Sequence, residues 1–385
     1  MELTLFVDHA CNLRCTYCYN GEHFTRRMPS EVMRRAIDLG LAMQPRHVDL
    51  SLFGGEPLLR FGFVREIEEY VESRLATLAG PKPSLRWLVN TNGTLFTDEI
   101  LDWLAPPRIA TVFVSLDGPR DVHDKFRLTR GGKGSYEKIL AGLERLRERQ
   151  IAFQLVAVVN VETAPRLGAT VAELSELGAK RVTLSPNFRD DWTDAAIDRL
   201  REGLAGAAEH WIGMFRAGRQ EPIDPLHTKI LTHLKGGIPC PSRCLIAGNE
   251  LCVAPSGKIY PCAQMVQEDR NDELVIGTVE AGIDEAKVAA LQRGKDRVEA
   301  TCEPCALRDR CQSHCGCRHL ALSGRLGEIT ATLCETEAAF IDAADQVAET
   351  LFAEQNPAFI DYYYKRPWTA SAGGVLTQLR RARDA

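Results

Sequence analysis

The thirteen cysteines of this 385-residue chain fall into two groups: three at positions 11, 15 and 18, ten between 240 and 334, and none in the 221 residues between. Thiols segregated in this way are ligands or cross-links, and the compartment decides which. The start, Met1-Glu2-Leu3-Thr4, lacks the basic and apolar stretches of a secretory signal. The expectation is therefore a cytoplasmic protein whose clustered thiols hold metal, and the odd count points the same way. No apolar run approaches the ~18 residues that cross a bilayer, so no membrane partner is expected. A net charge of -5 lacks the basic footprint of a nucleic-acid binder. With 45% hydrophobic and 26% charged residues the chain is globular, with room for a large α/β domain and a smaller one.

The cysteine-free stretch alternates strand and helix patterns. Apolar or β-branched runs at Leu3 to Val7, Val48 to Phe53, Leu85 to Thr91, Thr111 to Ser115, Phe153 to Val159 and Arg181 to Ser185 predict six strands. Helix starts lie between them, at Ser30, Thr97-Asp98 and Ser135. Repeated βα units imply a parallel sheet, open or curled into a partial barrel, with functional groups on the loops that follow the strands. Thr193 to Arg216 reads as one long helix, and Gly236-Gly237-Ile238-Pro239 breaks the pattern before Cys240. Beyond it the chain is turn-rich, with a hairpin-like segment from Val253 to Tyr260 and, after Cys334, an amphipathic helix to about Leu351. The expected segments are 1–190, a helical linker 191–239, a metal-stapled region 240–335 and a C-terminal helix and tail 336–385.

Cys11-x3-Cys15-x2-Cys18 lies directly after the first predicted strand, where α/β folds place their chemistry. Three thiolates can hold three irons of a [4Fe-4S] cluster and leave the fourth open. The alternative is a zinc knuckle completed by His9 or His23. The second strand ends in Gly54-Gly55-Glu56-Pro57, the third in Thr91-Asn92-Gly93-Thr94 and the fourth in Ser115-Leu116-Asp117-Gly118-Pro119. Asn92-Gly93 and Asp117-Gly118 are also ordinary turn signals.

With Tyr17 before its third cysteine, the first motif resembles the signature of the radical S-adenosylmethionine (SAM) superfamily. Gly54-Gly55-Glu56-Pro57 is similar to the stretch that receives the SAM amino group there. The resemblance implies a partial (β/α)6 TIM-type barrel and a cluster on Cys11, Cys15 and Cys18. It implies SAM contacts at Tyr17, Gly54, Gly55, Glu56, Asn92, Ser115 and Asp117, with Asn160 and Leu184 on the adenine side. The implied chemistry is reductive cleavage of SAM to a 5'-deoxyadenosyl radical that abstracts hydrogen from an unactivated C–H, with a flavodoxin or ferredoxin as electron donor.

The later cysteines read Cys244-x12-Gly257-x4-Cys262, then Cys302-x2-Cys305-x5-Cys311-x3-Cys315, then Cys334. This spacing resembles the SPASM domain, a C-terminal iron-sulfur domain with two auxiliary [4Fe-4S] clusters, making three clusters in all. That resemblance would give one auxiliary cluster Cys240, Cys244, Cys262 and Cys315, and the other Cys302, Cys305, Cys311 and Cys334. Paired zinc ribbons are the alternative, although only Cys302 and Cys305 form a CxxC hook. Two cysteines are surplus. Cys252 lies in an apolar run and is expected to fill the core. Cys317, in an extended segment, would face the same way as Cys315, about 7 Å away. Which of Cys240, Cys252 and Cys317 is the eighth ligand stays open at this point.

Cys315-Gly316-Cys317-Arg318 and the helix after Cys334 resemble maturases of ribosomally made peptides. The implied substrate is a precursor peptide, oxidatively modified or cross-linked. Sulfatase maturases, which make formylglycine, are the rival; they carry an aspartate after the cysteine matching Cys262, where this chain has Ala263. A non-catalytic, metal-stabilised peptide-binding scaffold is the rival of another class. The first motif begins at residue 11, leaving no expected room for an N-terminal leader-binding domain. Leader recognition then falls to another surface or to a separate leader-binding protein. The aromatic and basic tail (Phe359, Tyr362, Tyr363, Tyr364, Lys365, Arg366, Trp368) either docks back on the fold or binds peptide.

Overall fold

A computed structural model describes residues 1–21, 24–108, 110–234, 244, 246–248, 250–297 and 299–365. The chain forms two compact units. The first comprises Met1–Leu116, Arg120–Val156 and Leu245–Gln292; the second comprises Asp117–Pro119, Ala157–Cys244 and Arg293–Ala385. The cysteine-rich stretch is thus shared between them.

All six expected strands form, each within one residue of its predicted ends. In the first unit Glu2–Asp8, His47–Gly54, Ser84–Thr91, Ala110–Ser115 and the start of Phe153–Val159 pair in parallel and in chain order. Leu5, Leu52, Val89, Val112 and Leu155 are sealed from water on this sheet, as β-branched and aliphatic runs covered on both faces require. Helices Ser30–Ala42, Phe61–Thr77, Asp98–Leu104 and Tyr136–Glu148 follow successive strands. Thr97 caps the third by accepting from the Ile100 amide at 3.3 Å. The strand-then-helix rhythm is that of an α/β fold with a parallel sheet.

The expected hairpin is present and extends this sheet. Glu250–Val253 runs parallel to Glu2–Leu5, turns at Gly257 (φ +86°) and returns as Lys258–Tyr260. Cys252 lies opposite Thr4 and is fully buried, so it fills the core as its apolar neighbours suggested.

The second unit holds Ala157–Val159 as the end of the fifth strand and Val182–Pro186, which pairs in parallel with Ile223–Asp224. Its core is helical: Leu167–Glu176 and Ala331–Ala353 pack against the long helix Asp194–Arg216, which Thr193 caps, and Leu226–Leu234 packs on Ala331–Ala353. The C-terminal helix begins at Ala331, not after Cys334, because Thr330 accepts from the Leu333 amide and caps it there; Cys334 is in its first turn. The Gly236–Pro239 break lies outside the described residues. Among the described residues no helix is long and apolar enough to cross a membrane.

The start of the tail belongs to this core. Phe359 meets Phe215 edge-on at 5.5 Å, and Tyr363 shares a 2.9 Å hydrogen bond with His227 Nδ1. Phe359, Tyr362 and Tyr363 are all buried, whereas Arg366 and Trp368 lie outside the described residues. A chain ending at Gln355 should therefore fail to fold, since losing a buried Phe side chain alone costs about 3–5 kcal/mol of a total near 5–15 kcal/mol. Thermal melting followed by circular dichroism checks this; a cooperative transition like that of the full chain would return the tail to the surface.

Candidate functional site

The first three cysteines lie on a loop pinned from two sides. Leu13–Cys15 forms a short antiparallel ladder with Arg127–Thr129, and Arg130 Nε donates to the Cys11 carbonyl at 2.8 Å. Tyr17 tilts against Phe126, with the Arg127 guanidinium 5.3 Å from its ring. From the other side the second strand closes on the same loop: the Gly55 amide donates to the Asp8 carbonyl at 2.8 Å and the Glu56 amide to the Ala10 carbonyl at 2.9 Å. Only glycine permits this approach. A Cβ on Gly55 would sit 2.2 Å from the Ala10 carbonyl oxygen, and Gly54 adopts φ +131°.

That approach brings Glu56 beside Cys11. Glu56 is completely buried and accepts from the Asn92 amide at 2.7 Å, Thr91 Oγ1 at 2.9 Å and the Leu58 amide at 3.1 Å. All three donors are neutral. Among the described residues no cationic side chain pairs with it, and burial pushes its carboxyl up to about 7 despite the hydrogen bonds. A buried carboxylate of this kind is a site for a cation that arrives with a ligand. Asn92 also donates to Asn12 Oδ1 at 2.8 Å, and Asn12 to Thr94 Oγ1 at 2.8 Å. Thr91 belongs to the motif read at the end of the third strand, whereas Asn12 and Arg130 complete the site although their spacing carried no signal; for Asn12 adjacency to Cys11 was the clue, and for Arg130 there was none.

Cys11 is buried, and its thiol is pushed up to about 12 by burial first, then by Glu56, Cys15 and Cys18. A thiol so disfavoured as a free thiolate is stabilised by bonding to a metal. Among the described residues no group of three His, Cys, Asp or Glu side chains is arranged around one metal ion. A [4Fe-4S] cluster takes one thiolate per iron, and three neighbouring thiols on one loop fit it. His9, the knuckle's candidate fourth ligand, is buried between Phe6 and Phe24, and burial pushes its pKa down to about 4. His23 lies outside the described residues.

Ser115 ends the fourth strand of the first unit, opposite Val156. Asp117, Asn160 and Leu184 belong to the second unit. Asp117 is buried and accepts from the Val158 amide at 2.9 Å. Asn160, after the fifth strand, is held by Asn187 at 2.9 Å, and its own Nδ2 has no partner among the described residues. Leu184 is buried in the sixth strand.

Of the later cysteines, Cys262 follows the hairpin in the first unit. In the second unit burial, and then the neighbouring Cys311, Cys302 and Cys305, push the Cys334 thiol up to about 11, and Cys244 shares a hydrogen bond with Cys315. Cys240 lies outside the described residues. Cys317 departs from the expected extended segment. Cys315 is the N-cap of the helix Gly316–Ser323, so Cys317 sits in its first turn, its sulfur 3.3 Å from that of Cys315.

Residues 7–174 match the Radical SAM superfamily model. The chain is 28% identical over 342 residues to the serine-type anaerobic sulfatase-maturating enzyme of Klebsiella aerogenes, covering 83% of this chain and 80% of that one. It is 29% identical over 185 residues to the sporulation killing factor maturation protein SkfB of Bacillus subtilis, covering 46% and 40%. The solved structure of anSMEcpe with bound AdoMet and the Cp18Cys peptide shares the fold, with a TM-score of 0.76 at 19% identity over 92% of this chain and 100% of that one.

Proposed function

The chain carries a radical SAM domain over residues 7–174 and is an enzyme of that superfamily, and from that premise we propose that it is a maturase that oxidatively modifies or cross-links a ribosomally made precursor peptide. The observation that carries the reading is Glu56: a fully buried carboxylate with neutral donors and, among the described residues, no cationic partner, beside the cysteine loop. It would accept the ammonium group of SAM. Cys11, Cys15 and Cys18 would hold the [4Fe-4S] cluster. With both bound, this pair supplies one-electron reductive cleavage of the sulfonium, from which C–H abstraction starts.

The chain's own residues position and seal. Thr91, Asn92 and Leu58 fix the Glu56 carboxylate so that it need not reorganise when the ligand arrives. The Asn12–Asn92–Thr94 network orders the loop ends beside Cys11. From the resemblance, Asn160, whose Nδ2 has no partner among the described residues, and the buried Leu184 would serve the adenine ring, and Asp117 and Ser115 the ribose or carboxylate of SAM; Ser115 belongs to the first unit and the other three to the second. Two auxiliary [4Fe-4S] clusters would take Cys240, Cys244, Cys262 and Cys315, and Cys302, Cys305, Cys311 and Cys334. A flavodoxin or ferredoxin would supply the electron.

A polypeptide substrate is supported by the relatives' names, one a sulfatase-maturating enzyme and the other a maturation protein for sporulation killing factor. Formylglycine formation is the second reading. It is favoured by 28% identity over 83% of the chain and by Glu250, whose carboxylate accepts from the Ala263 amide at 3.3 Å. Against it stands Ala263 itself, which cannot take a proton. Reduced, reconstituted protein is incubated with SAM and either a precursor peptide encoded beside its gene or a sulfatase peptide. A product two hydrogens lighter that fails to react with a hydrazide is expected from the precursor. A hydrazide-reactive aldehyde on the sulfatase peptide would establish the second reading, and no 5'-deoxyadenosine above background would sink both.

A further inference from the structure

Lys229, Glu337 and Arg318 form a chain of alternating charge inside the second unit, with Lys229 and Glu337 buried and Arg318 partly exposed. Lys229 Nζ donates to Glu337 Oε2 at 2.5 Å, and Arg318 Nη1 donates to Glu337 Oε1 at 2.5 Å. Lys229 is 1% exposed and Glu337 3%. Burial pushes the Glu337 carboxyl up, but Lys229 and Arg318 outweigh it and hold it down to about 2. Ion groups in such a place are expensive to desolvate, and packed apolar side chains would serve stability as well. Their attachments suggest what they do instead.

Each attachment leads to a cysteine. Lys229 Nζ also donates to the Arg310 carbonyl at 2.8 Å, and Glu337 Oε2 also accepts from the Gln312 amide at 2.7 Å. The two residues that flank Cys311 are thus clamped by the two halves of one ion pair. Glu337 lies one helical turn beyond Cys334 on Ala331–Ala353. Arg318 lies on the helix that Cys315 caps, and its amide donates to the Cys315 carbonyl at 3.0 Å. Its guanidinium also lies 5.0 Å from the Phe188 ring, just beyond the sixth strand.

We propose that Lys229, Glu337 and Arg318 are positioning residues that fix Cys311, Cys315 and Cys334 and set, through their net positive charge, the reduction potential of the clusters those cysteines hold. The proposal rests on the auxiliary-cluster reading above. Reduction adds negative charge, so each cation favours the reduced cluster and Glu337 opposes it; cluster potentials follow net charge and hydrogen bonding in this way. A unit charge within ~10 Å at an effective dielectric constant near 20 shifts such an equilibrium about tenfold.

The test is an EPR-monitored redox titration of fully reconstituted protein, with iron counted in the same samples. Glu337→Gln should raise the auxiliary midpoint and Lys229→Met should lower it, each by about tenfold in the reduction equilibrium, about 59 mV for a one-electron couple. The double variant removes both fully buried charges and leaves only the partly exposed Arg318 without its carboxylate, so it should fold even where Glu337→Gln does not, and its midpoint should lie near that of the wild type. Shifts of opposite sign with full iron support the proposal. Unchanged midpoints, or shifts of one sign in both single variants, would overturn it, as would a double variant that loses about four irons. A wild-type protein that holds only about four irons overturns it together with the reading beneath it.

Discussion

Replacing Cys11, Cys15 and Cys18 together by alanine is expected to abolish 5'-deoxyadenosine formation while removing only about a third of roughly 12 irons. The selectivity follows from how the loop is held. Its backbone is fixed by the ladder to Arg127–Thr129, by Arg130 on the Cys11 carbonyl and by the Gly55 and Glu56 amides, none of which uses a thiol. The fold should therefore survive. Cys302, Cys305, Cys311 and Cys334 are in the second unit, on chain far from residues 11 to 18. Iron assay, EPR of the reduced protein and chromatography of the SAM products read the three consequences separately. Persistent SAM cleavage would remove these cysteines from the chemistry, and stoichiometric zinc without iron would remove the clusters altogether.

The six strands were legible because aliphatic and β-branched runs of five to seven residues bounded by turn residues have few other uses, and the Thr193 cap placed the long helix within one residue. Pairing partners were not legible. Glu250–Val253 joins Glu2–Leu5 across almost 250 residues of chain, and nothing local in either segment specifies that choice. Cys315-Gly316-Cys317 misled because two cysteines two apart look like a strand edge, whereas Cys315 starts a helix. The Lys229–Glu337–Arg318 chain left a faint mark. Glu337 falls four residues after Leu333 and three before Phe340, on the apolar stripe of its helix, where a charge has no place unless a partner meets it. Gly54-Gly55-Glu56 was the clearest signal of all, since the glycines allow the contact with Ala10 that places the carboxylate.

Glu56→Gln should weaken SAM binding at least tenfold and also change how stability responds to pH. A carboxylate that accepts from the SAM ammonium makes a charge-assisted hydrogen bond worth about 1.5–3 kcal/mol, which a neutral amide does not supply. The pH effect has a definite sign. Burial raises the Glu56 pKa from its ordinary value of 4.5 to about 7. Its contribution is therefore fully present below about pH 4.5 and is lost as pH rises toward 7, roughly 3 kcal/mol in all at ~1.4 kcal/mol per pH unit. Glutamine cannot ionise, so relative to the wild type the variant gains stability between about pH 5 and about pH 8. A bound ammonium reverses the wild-type cost by favouring the ionised carboxylate. Stabilisation of the wild type by SAM should accordingly grow across that range, and stabilisation of the variant should not. Melting curves with and without SAM at the two pH values separate the cases. If the variant binds SAM as the wild type does and shows the same pH response, Glu56 acts only as the cap that accepts from the Leu58 amide. The cation expected beside its carboxylate would then have to be sought elsewhere in the site.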